Sequence, residues 1–271
     1  MSSCFCTPVS APDAANTAMP SRSSTSRRVA VDTLTTVDGT RTPTVDAMAG
    51  KKRGALFLDL DGTLADSGAG ITSALDQVFN ALGTTALTEA EKRFIIGPAF
   101  QVTMPVLLGA RGLDESMSDS LIREYRRIYT AEHLPHTPPI EGIGAVIDEL
   151  AASYHLSVVT AKPVNQAVVA VRALRMEHMM EIVIGPEPDA PTPKARLLER
   201  AITHVRGVRG GDLGHEECWM IGDRHHDIDA AVEVGTRSIG VMWGYGDEAE
   251  LASAGATHIA QVPADLLTLL G

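Results

Sequence analysis

The chain has 271 residues, of which 44% are hydrophobic, and its formal net charge is −11. That length suffices for one large domain, or for a core with a smaller second domain. Residues 1–53 carry a net charge of +3, so the remaining sequence carries −14, which argues against nucleic acid as a partner. No apolar run reaches the about 18 residues of a membrane-spanning helix, which predicts no membrane partner.

The cysteines predict a reducing compartment. The chain has three cysteines, and two of them, Cys4 and Cys6, lie in the tail, so no disulfide framework is implied. Cys218 begins an apolar run and is interpreted as a small core residue. We therefore expect a cytoplasmic protein.

Residues 1–53 are predicted to form a disordered tail. Residues 1–50 contain 16 Ser and Thr and no sustained apolar periodicity, so they cannot bury enough apolar surface to offset the entropy of ordering. A transit peptide is a less favoured interpretation, because the segment lacks a clear amphipathic helix. Translation from Met48 is a further hypothesis, which native peptides from upstream of Met48 in a mass spectrum would rule out.

The first predicted strand, residues 54–59, ends in two carboxylates one residue apart. Asp59 and Asp61 follow an apolar run and precede Gly62 and Thr63. Because alternate residues of a strand point to the same side, both carboxylates should face one spot, where they repel unless a cation lies between them or one is protonated. This pattern favours a magnesium-assisted phosphoryl-transfer site with an aspartate nucleophile. The plainer alternative is an acidic turn after a strand.

Residues 68–138 are predicted to form a helical cap domain inserted after the first strand. Apolar residues recur there at helical spacing and interrupt the alternation of strands and helices. Hinges near Gly68 and Pro138 would let the cap open and close over the site. The predicted cap helices are residues 69–83, 88–96, 99–109 and 114–132.

Residues 54–67 and 139–271 are predicted to form a Rossmann-like α/β core, a doubly wound parallel sheet, because strands alternate with helices along them. Active sites of such sheets lie beyond the carboxyl ends of the strands, where Asp59, Thr160 and Asp223 stand. The predicted strands are residues 54–59, 156–160, 181–184, 218–222, 236–241 and 257–260. The predicted helices are residues 142–153, 164–175, 194–206, 226–235, 247–254 and 263–270.

Four motifs occur in the order typical of one enzyme superfamily. The first is the run Asp59–Asp61, the second is an apolar strand ending at Thr160, the third is Lys194 at a predicted helix start, and the fourth is Gly222–Asp223 followed by Asp227. After the tail, the sequence resembles the haloacid dehalogenase (HAD) superfamily of aspartate-nucleophile phosphatases. It looks most like the phosphoglycolate phosphatase-like branch, which carries a helical cap.

The resemblance implies a role for each motif residue. Asp59 would attack phosphorus, and Asp61 would protonate the leaving oxygen and later activate water. Thr160 would bind a phosphate oxygen, and Lys194 would neutralise developing charge and hold Asp59 in place. The cofactor would be Mg²⁺, which prefers hard oxygen ligands. Its ligands would be the carboxylates of Asp59 and Asp223 and the carbonyl of Asp61, with Asp227 as a supporting acid of the metal site.

The phosphate contacts also have plainer interpretations. Gly62 would allow a sharp turn, and with Thr63 it would expose backbone N–H groups to the phosphate. Thr160 alone fits a simple strand-former, and Lys194 alone fits a solvated lysine. A cation at a helix start opposes the helix dipole, however, which indicates another reason for Lys194. Arg196 is a weaker substitute for it.

The sequence departs from its relatives at the second motif. They usually read Thr-Asn-Lys-Pro, whereas Ala161 here replaces the asparagine, so its N–H remains for phosphate but an amide side chain is lost. Lys162 is expected to touch substrate or cap. Arg93 in the cap either meets a substrate anion or is a surface charge. His225 and His226 lack a third His or Cys at zinc-ligand spacing and are interpreted as solvent-facing residues.

The leading hypothesis is a magnesium-dependent phosphomonoester hydrolase of a small metabolite, with phosphoglycolate and nucleoside monophosphates as the leading substrates. Phosphotyrosine phosphotransfer or phosphatase activity on a protein is one alternative. A regulatory interaction protein with a Ser- and Thr-rich tail is another. The oligomeric state is left open between a monomer and a homodimer.

Overall fold

The computed structural model describes residues 52–209, 211 and 213–271. The predicted disordered tail lies outside them except for its last two residues. Within this part of the chain, six strands form one parallel sheet, as the sequence predicted. The strands are β1 (Gly54–Leu58), β2 (Tyr154–Val159), β3 (Met180–Ile184), β4 (Cys218–Gly222), β5 (Arg237–Val241) and β6 (His258–Ala260).

The strand order is β3-β2-β1-β4-β5-β6, which places β1 between β2 and β4 at the centre of the sheet. The described α-helices lie close to their predicted positions. They are α1 (Gly68–Ala81), α2 (Glu89–Ile95), α3 (Phe100–Ala110), α4 (Ser118–Ile128), α5 (Ile143–Ser153), α6 (Val164–Ala173), α7 (Lys194–Arg209), α8 (His225–Val234), α9 (Glu248–Ser253) and α10 (Asp265–Leu270). No helix in the described ranges is both long and apolar enough to cross a membrane.

The two faces of the sheet pack against different helices, because side chains alternate along each strand. On β1, Ala55 and Phe57 join a buried cluster with residues of α7 and α8. Leu56 and Leu58 join a larger cluster that includes α1, α5 and α6. Asp59 has the parity of Phe57, so its carboxylate leaves the strand on the side that α7 covers. The site therefore forms where β1 meets the start of α7.

The helical insert differs from the prediction in its last helix. Residues 114–132 were expected to form one helix, but α4 is preceded by a 3₁₀ turn, Glu115–Met117, and followed by a π-helical turn, Tyr129–His133. The Asp114 carboxylate accepts the Ser116 N–H at 2.9 Å, which caps the 3₁₀ turn separately. Tyr129 in this π-helical turn is buried, and π-turns are often found at functional sites.

The two segments that join the insert to the sheet run side by side. The Asp66 N–H donates to the Pro138 carbonyl at 2.9 Å, and the Ile140 N–H donates to the Leu64 carbonyl at 3.0 Å. Both connections therefore leave the core at one place. Division into a core and a cap of residues 68–138 stays a prediction.

Candidate active site

Three buried aspartates meet at the carboxyl ends of the two central strands. Asp59 follows β1 directly, Asp223 follows the adjacent β4, and Asp227 lies in the first turn of α8. One carboxylate oxygen of each lies within 4.8 Å of the other two, and all three side chains are buried. The cluster thus occupies the edge at which ligands of parallel α/β sheets bind.

Lys194, the first residue of α7, supplies the cation of this cluster. Its ammonium lies 2.8 Å from Asp59 Oδ1 and also contacts Asp227 Oδ1. Burial lowers the pKa of Lys194, but the charges of Asp227 and Asp59 raise it by more, so the side chain stays protonated. The interpretation of Lys194 as a solvated residue is wrong. Arg196 does not substitute for it, because that side chain is 71% exposed and pairs with Glu199.

The carboxylates outnumber the cations in this cluster, and the pKa values of two of the carboxyl groups are raised. Burial and the charges of Asp227 and Asp61 raise the pKa of Asp59, the charge of Lys194 lowers it, and the net result is a pKa of about 6. Burial also raises the pKa of Asp223 well above its ordinary value, with a further rise from Asp227 and Asp59. A bound divalent cation would oppose both shifts, because it favours the charged carboxylates.

The donor set of the cluster fits Mg²⁺, which takes carboxylate and carbonyl oxygens. Two glycines make room for the Asp223 carboxylate. A Cβ on Gly62, whose φ is +84°, would lie 2.4 Å from Asp223 Oδ2, and a Cβ on Gly244 would lie 2.3 Å from Asp223 Cβ. Asp59, Asp223 and Asp227 are therefore the residues that would hold the ion. The Asp61 carbonyl as a fourth ligand stays a prediction.

The loop after β5 fixes Asp223, a role that sequence reasoning missed. The Tyr245 N–H donates to Asp223 Oδ2 at 2.7 Å, and the Tyr245 hydroxyl accepts the Gly68 N–H at 2.7 Å. The Trp243 indole N–H donates to the Thr63 carbonyl at 3.1 Å. The sequence predicted only that this loop lies near the site. The glycines on either side of Tyr245 were the available signal of close backbone approach.

Gly62 and Thr63 differ from the expectation that their N–H groups face the phosphate. The Gly62 N–H donates to the Ala65 carbonyl at 2.8 Å, and the Thr63 N–H donates to the Leu60 carbonyl at 3.3 Å. Both donors are therefore used within the turn. The Thr63 hydroxyl instead lies 3.5 Å from Asp223 Oδ1, so these two residues shape the carboxylate cluster rather than the substrate cleft.

The second motif lines a cleft between the sheet edge and the helical insert. Asp59, Asp61, Thr160 and Ala161 all contribute to its wall. The Thr160 hydroxyl accepts the Lys162 N–H at 3.2 Å, which leaves its own O–H free to donate. In the described residues, the Ala161 N–H donates to no partner. The structure therefore brings these predicted residues together around one space.

Lys162 contacts the insert, as one of its two expected roles required. Its ammonium lies 3.0 Å from Asp61 Oδ2 and 3.2 Å from the Tyr129 hydroxyl, and it is buried. Burial lowers the pKa of Lys162, but the Asp61 charge and Tyr129 raise it by more. Lys162 thus joins Asp61 to the insert.

Arg93 is not part of the cleft. Its side chain is exposed, and its carbonyl accepts a hydrogen bond from Arg224 at 3.0 Å. The Arg224 guanidinium also contacts the Ile96 carbonyl and donates to Glu250 Oε1 at 2.9 Å. Arg224, next to Asp223, therefore ties the end of α2 to the core.

The Arg224→Met variant should lower the free energy of unfolding by about 2–3 kcal/mol, because hydrogen bonds from a charged donor to α2 and to Glu250 are lost. Urea unfolding measures the change. Arg172→Met is the matched control, since its 3.9 Å pair with Glu177 is largely exposed and should contribute about 1 kcal/mol or less. Equal losses in the two variants would contradict a linking role for Arg224.

His225 and His226 are half-buried at the start of α8, rather than fully facing solvent as predicted. Their ring centroids are 3.7 Å apart, and His225 Nδ1 lies 2.8 Å from Asp229 Oδ2. Sequence reasoning considered only His and Cys as a third ligand and so overlooked Asp229, which joins both imidazoles within 4.8 Å. The contact between His225 and Asp229, at i, i+4 spacing on the helix, accounts for the orientation of His225.

Residues 56–241 match the family of haloacid dehalogenase-like hydrolases, so the chain belongs to this family. The match confirms the resemblance drawn from the motifs, and it makes the protein an enzyme of the hydrolase class. The fold agrees. A haloacid dehalogenase-like hydrolase from Streptococcus pneumoniae superimposes with a TM-score of 0.71 at 28% identity, covering 80% of this chain and 98% of that one.

Relatives with named activities cover most of the chain. Tyrosine-protein kinase PtkA of Mycobacterium tuberculosis is 31% identical over 250 residues, covering 88% of this chain and 81% of its own. A 5′-nucleotidase of Pseudomonas aeruginosa is 31% identical over 215 residues, covering 79% and 92%. Pyrophosphatase PpaX of Bacillus cereus is 24% identical over 221 residues, covering 81% and 97%.

Proposed function

We propose that this protein is a magnesium-dependent phosphomonoester hydrolase that acts on a small phosphorylated metabolite in the cytoplasm through an aspartyl-phosphate intermediate. The observation that carries the proposal is the buried Asp59 carboxylate beside Lys194, with Asp61 on the same cleft and Asp223 and Asp227 behind it. Relatives named 5′-nucleotidase and pyrophosphatase support a phosphate compound as substrate.

In the first step, a carboxylate oxygen of Asp59 attacks phosphorus. The bond from phosphorus to the leaving oxygen breaks, and Asp61 gives its proton to that oxygen. Lys194 holds the attacking carboxylate and offsets its charge as it approaches an anion. The Thr160 hydroxyl and the Ala161 N–H are the donors in the cleft wall for the phosphate oxygens.

In the second step, water attacks the phosphorus of the acylphosphate. The bond between Asp59 and phosphorus breaks, Asp61 takes the proton from the attacking water, and inorganic phosphate leaves. Asp59, Asp223, Asp227 and the Asp61 carbonyl would hold Mg²⁺, which would supply positive charge beside the phosphate when bound.

The helical insert, residues 68–138, is proposed to act as a cap on a core of residues 54–67 and 139–271. Adjacent connecting segments at Leu64 and Ile140 support this division, since one hinge region then serves both chain crossings. Closure would exclude water before Asp59 reacts.

Lys162→Met should lower kcat by about 10²-fold for a substrate with a poor leaving group and by less for an activated aryl phosphate. The reason is that Lys162 holds the Asp61 carboxylate, and proton donation matters most when the leaving oxygen is basic. Comparing ethyl phosphate with 4-nitrophenyl phosphate measures the difference. Tyr129→Phe removes only the hydroxyl that contacts Lys162. It should change the ratio of the two rates in the same direction, but by less. Equal loss on both substrates in both variants would indicate a purely structural role.

The proposed function is tested by phosphate release from a panel with magnesium or with EDTA. The panel contains phosphoglycolate, nucleoside monophosphates, sugar phosphates and a phosphotyrosine peptide. We expect release that depends on magnesium and favours one small compound. If folded protein releases phosphate from no member of the panel, the hydrolase proposal fails and a regulatory interaction protein becomes the better interpretation.

Phosphoryl transfer involving protein tyrosine is a second candidate. The relative named as a tyrosine-protein kinase supports it, because its likeness extends over 88% of this chain. Incubation with γ-³²P-labelled ATP and a tyrosine-containing polymer tests it directly. Label on the polymer that disappears in an Asp59→Asn variant would favour this candidate, whereas release of labelled phosphate alone would favour hydrolysis.

A further inference from the structure

The wall of the cleft beyond the phosphate donors is mostly apolar. Together with the open solvent at its mouth, the cleft encloses about 620 Å³. Ile71, Ile95 and Ile96 are buried residues of its wall on the insert, and Pro163 and Pro186 line it from the core. A leaving group in this space would therefore meet hydrocarbon on two sides.

An aromatic surface forms another part of the wall. The Phe100 and Tyr125 rings have centroids 4.3 Å apart at an interplanar angle of 56°, and Tyr125 stacks on Tyr129 at 5.5 Å. Phe100 and Tyr125 both line the cleft. Aromatic side chains held in such a series favour contact with the face or edge of another ring.

The cationic side chains that line the cleft are already paired. Lys162 pairs with Asp61 at 3.0 Å, and Arg126 pairs with Asp189 at 3.1 Å. Glu187 adds a negative charge to the same wall. Asp189 is 86% exposed and accepts one N–H of Arg126, so a carboxylate on the leaving group would compete with Asp189 for Arg126 or remain unpaired in the cleft, which carries a desolvation cost.

The two amides of the wall are also engaged. The Gln101 amide N–H donates to the Pro188 carbonyl at 3.2 Å, and the Gln166 amide N–H donates to the Thr130 hydroxyl at 2.7 Å. One N–H of each amide therefore holds the wall together.

From these contacts we infer that the substrate is a phosphomonoester whose leaving group is uncharged and carries a ring, rather than a small carboxylate such as glycolate. The inference rests on the proposed hydrolase function and names its substrate class. The apolar and aromatic wall would bind the ring, while phosphate lies against Thr160 and Asp59.

The test compares benzyl phosphate with 2-phosphoglycolate, because both are primary alkyl monoesters of similar chemistry that differ in ring and charge. We expect kcat/KM at least about tenfold higher for benzyl phosphate, as apolar pocket contacts of this size produce. Phe100→Ala should reduce that advantage, with ethyl phosphate as the ringless reference. Ile96→Ala is a second variant in case Phe100→Ala fails to fold, which circular dichroism would reveal.

Calorimetric binding of both esters to the Asp59→Asn variant separates this inference from the proposed function. Tighter binding of benzyl phosphate without turnover by the unmodified protein would support the preference of the cleft for an uncharged ring and overturn the hydrolase proposal. Tighter binding or faster hydrolysis of 2-phosphoglycolate would overturn the inference. Loss of that preference in Arg126→Met would show that Arg126 exchanges Asp189 for the substrate. Failure of benzyl phosphate to bind would overturn the inference as well.

Discussion

Asp59→Asn should lower phosphate release by about 10⁴-fold or more, because an amide oxygen does not replace the attacking carboxylate. The fold should persist, since asparagine has nearly the same size and removes one of three crowded buried carboxylates. Initial rates of phosphate release with saturating magnesium measure the effect, and circular dichroism confirms the fold. An intact rate would contradict Asp59 as the nucleophile.

Asp229→Asn is the matched control for this variant. It makes the same chemical change on α8, where the Asp229 carboxylate is exposed and pairs with His225. Its rate should stay within about twofold of the unmodified protein, because exposed ion pairs contribute little. Parallel loss in both variants would indicate that the assay reports stability instead of chemistry.

Lys194→Met should reduce both activity and stability. The variant leaves Asp59, Asp223 and Asp227 buried without the ammonium that contacts two of them. Removing one partner of a buried ion pair costs about 3–5 kcal/mol in the free energy of unfolding. Loss of an electrostatic group at the reacting centre lowers kcat by about 10²- to 10³-fold. Urea unfolding and initial rates measure the two effects.

Arg196→Met serves as the control two residues along α7. Arg196 is exposed and pairs only with Glu199, so its loss should change the free energy of unfolding by about 0.5 kcal/mol or less. If Arg196→Met lost activity while Lys194→Met kept it, Arg196 rather than Lys194 would be the cation of this site.

The reacting groups were predictable because each follows a local motif with a fixed place in the sheet. Asp59 and Asp223 end adjacent strands, Thr160 ends the strand on the other side, and Lys194 starts a helix against the same edge. Parallel pairing brings strand ends together whatever the rest of the chain does. Strand and helix periodicity therefore sufficed to predict both the fold class and the convergence of these residues.

The individual partners in the contacts that orient those groups were not predictable, because these contacts join distant segments through side chains. For Lys162, the sequence predicted only that it touches substrate or cap. Nothing near Lys162 in the sequence indicates the Tyr129 hydroxyl, and nothing near Arg224 indicates the carbonyl of Ile96. The prediction that the N–H groups of Gly62 and Thr63 face the phosphate was also wrong, because both N–H groups donate to carbonyls within the turn.

The sequence by itself determined the doubly wound α/β core, the family and the set of carboxylates around Asp59, because these depend on local pattern and on strand order. Only the tertiary structure decided how the site is completed. It paired Lys162 with Asp61, fixed Asp223 through Tyr245 and built an apolar cleft from the insert. The physical reason is that side-chain packing between segments far apart in the chain depends on the shape of both surfaces, which no local pattern contains.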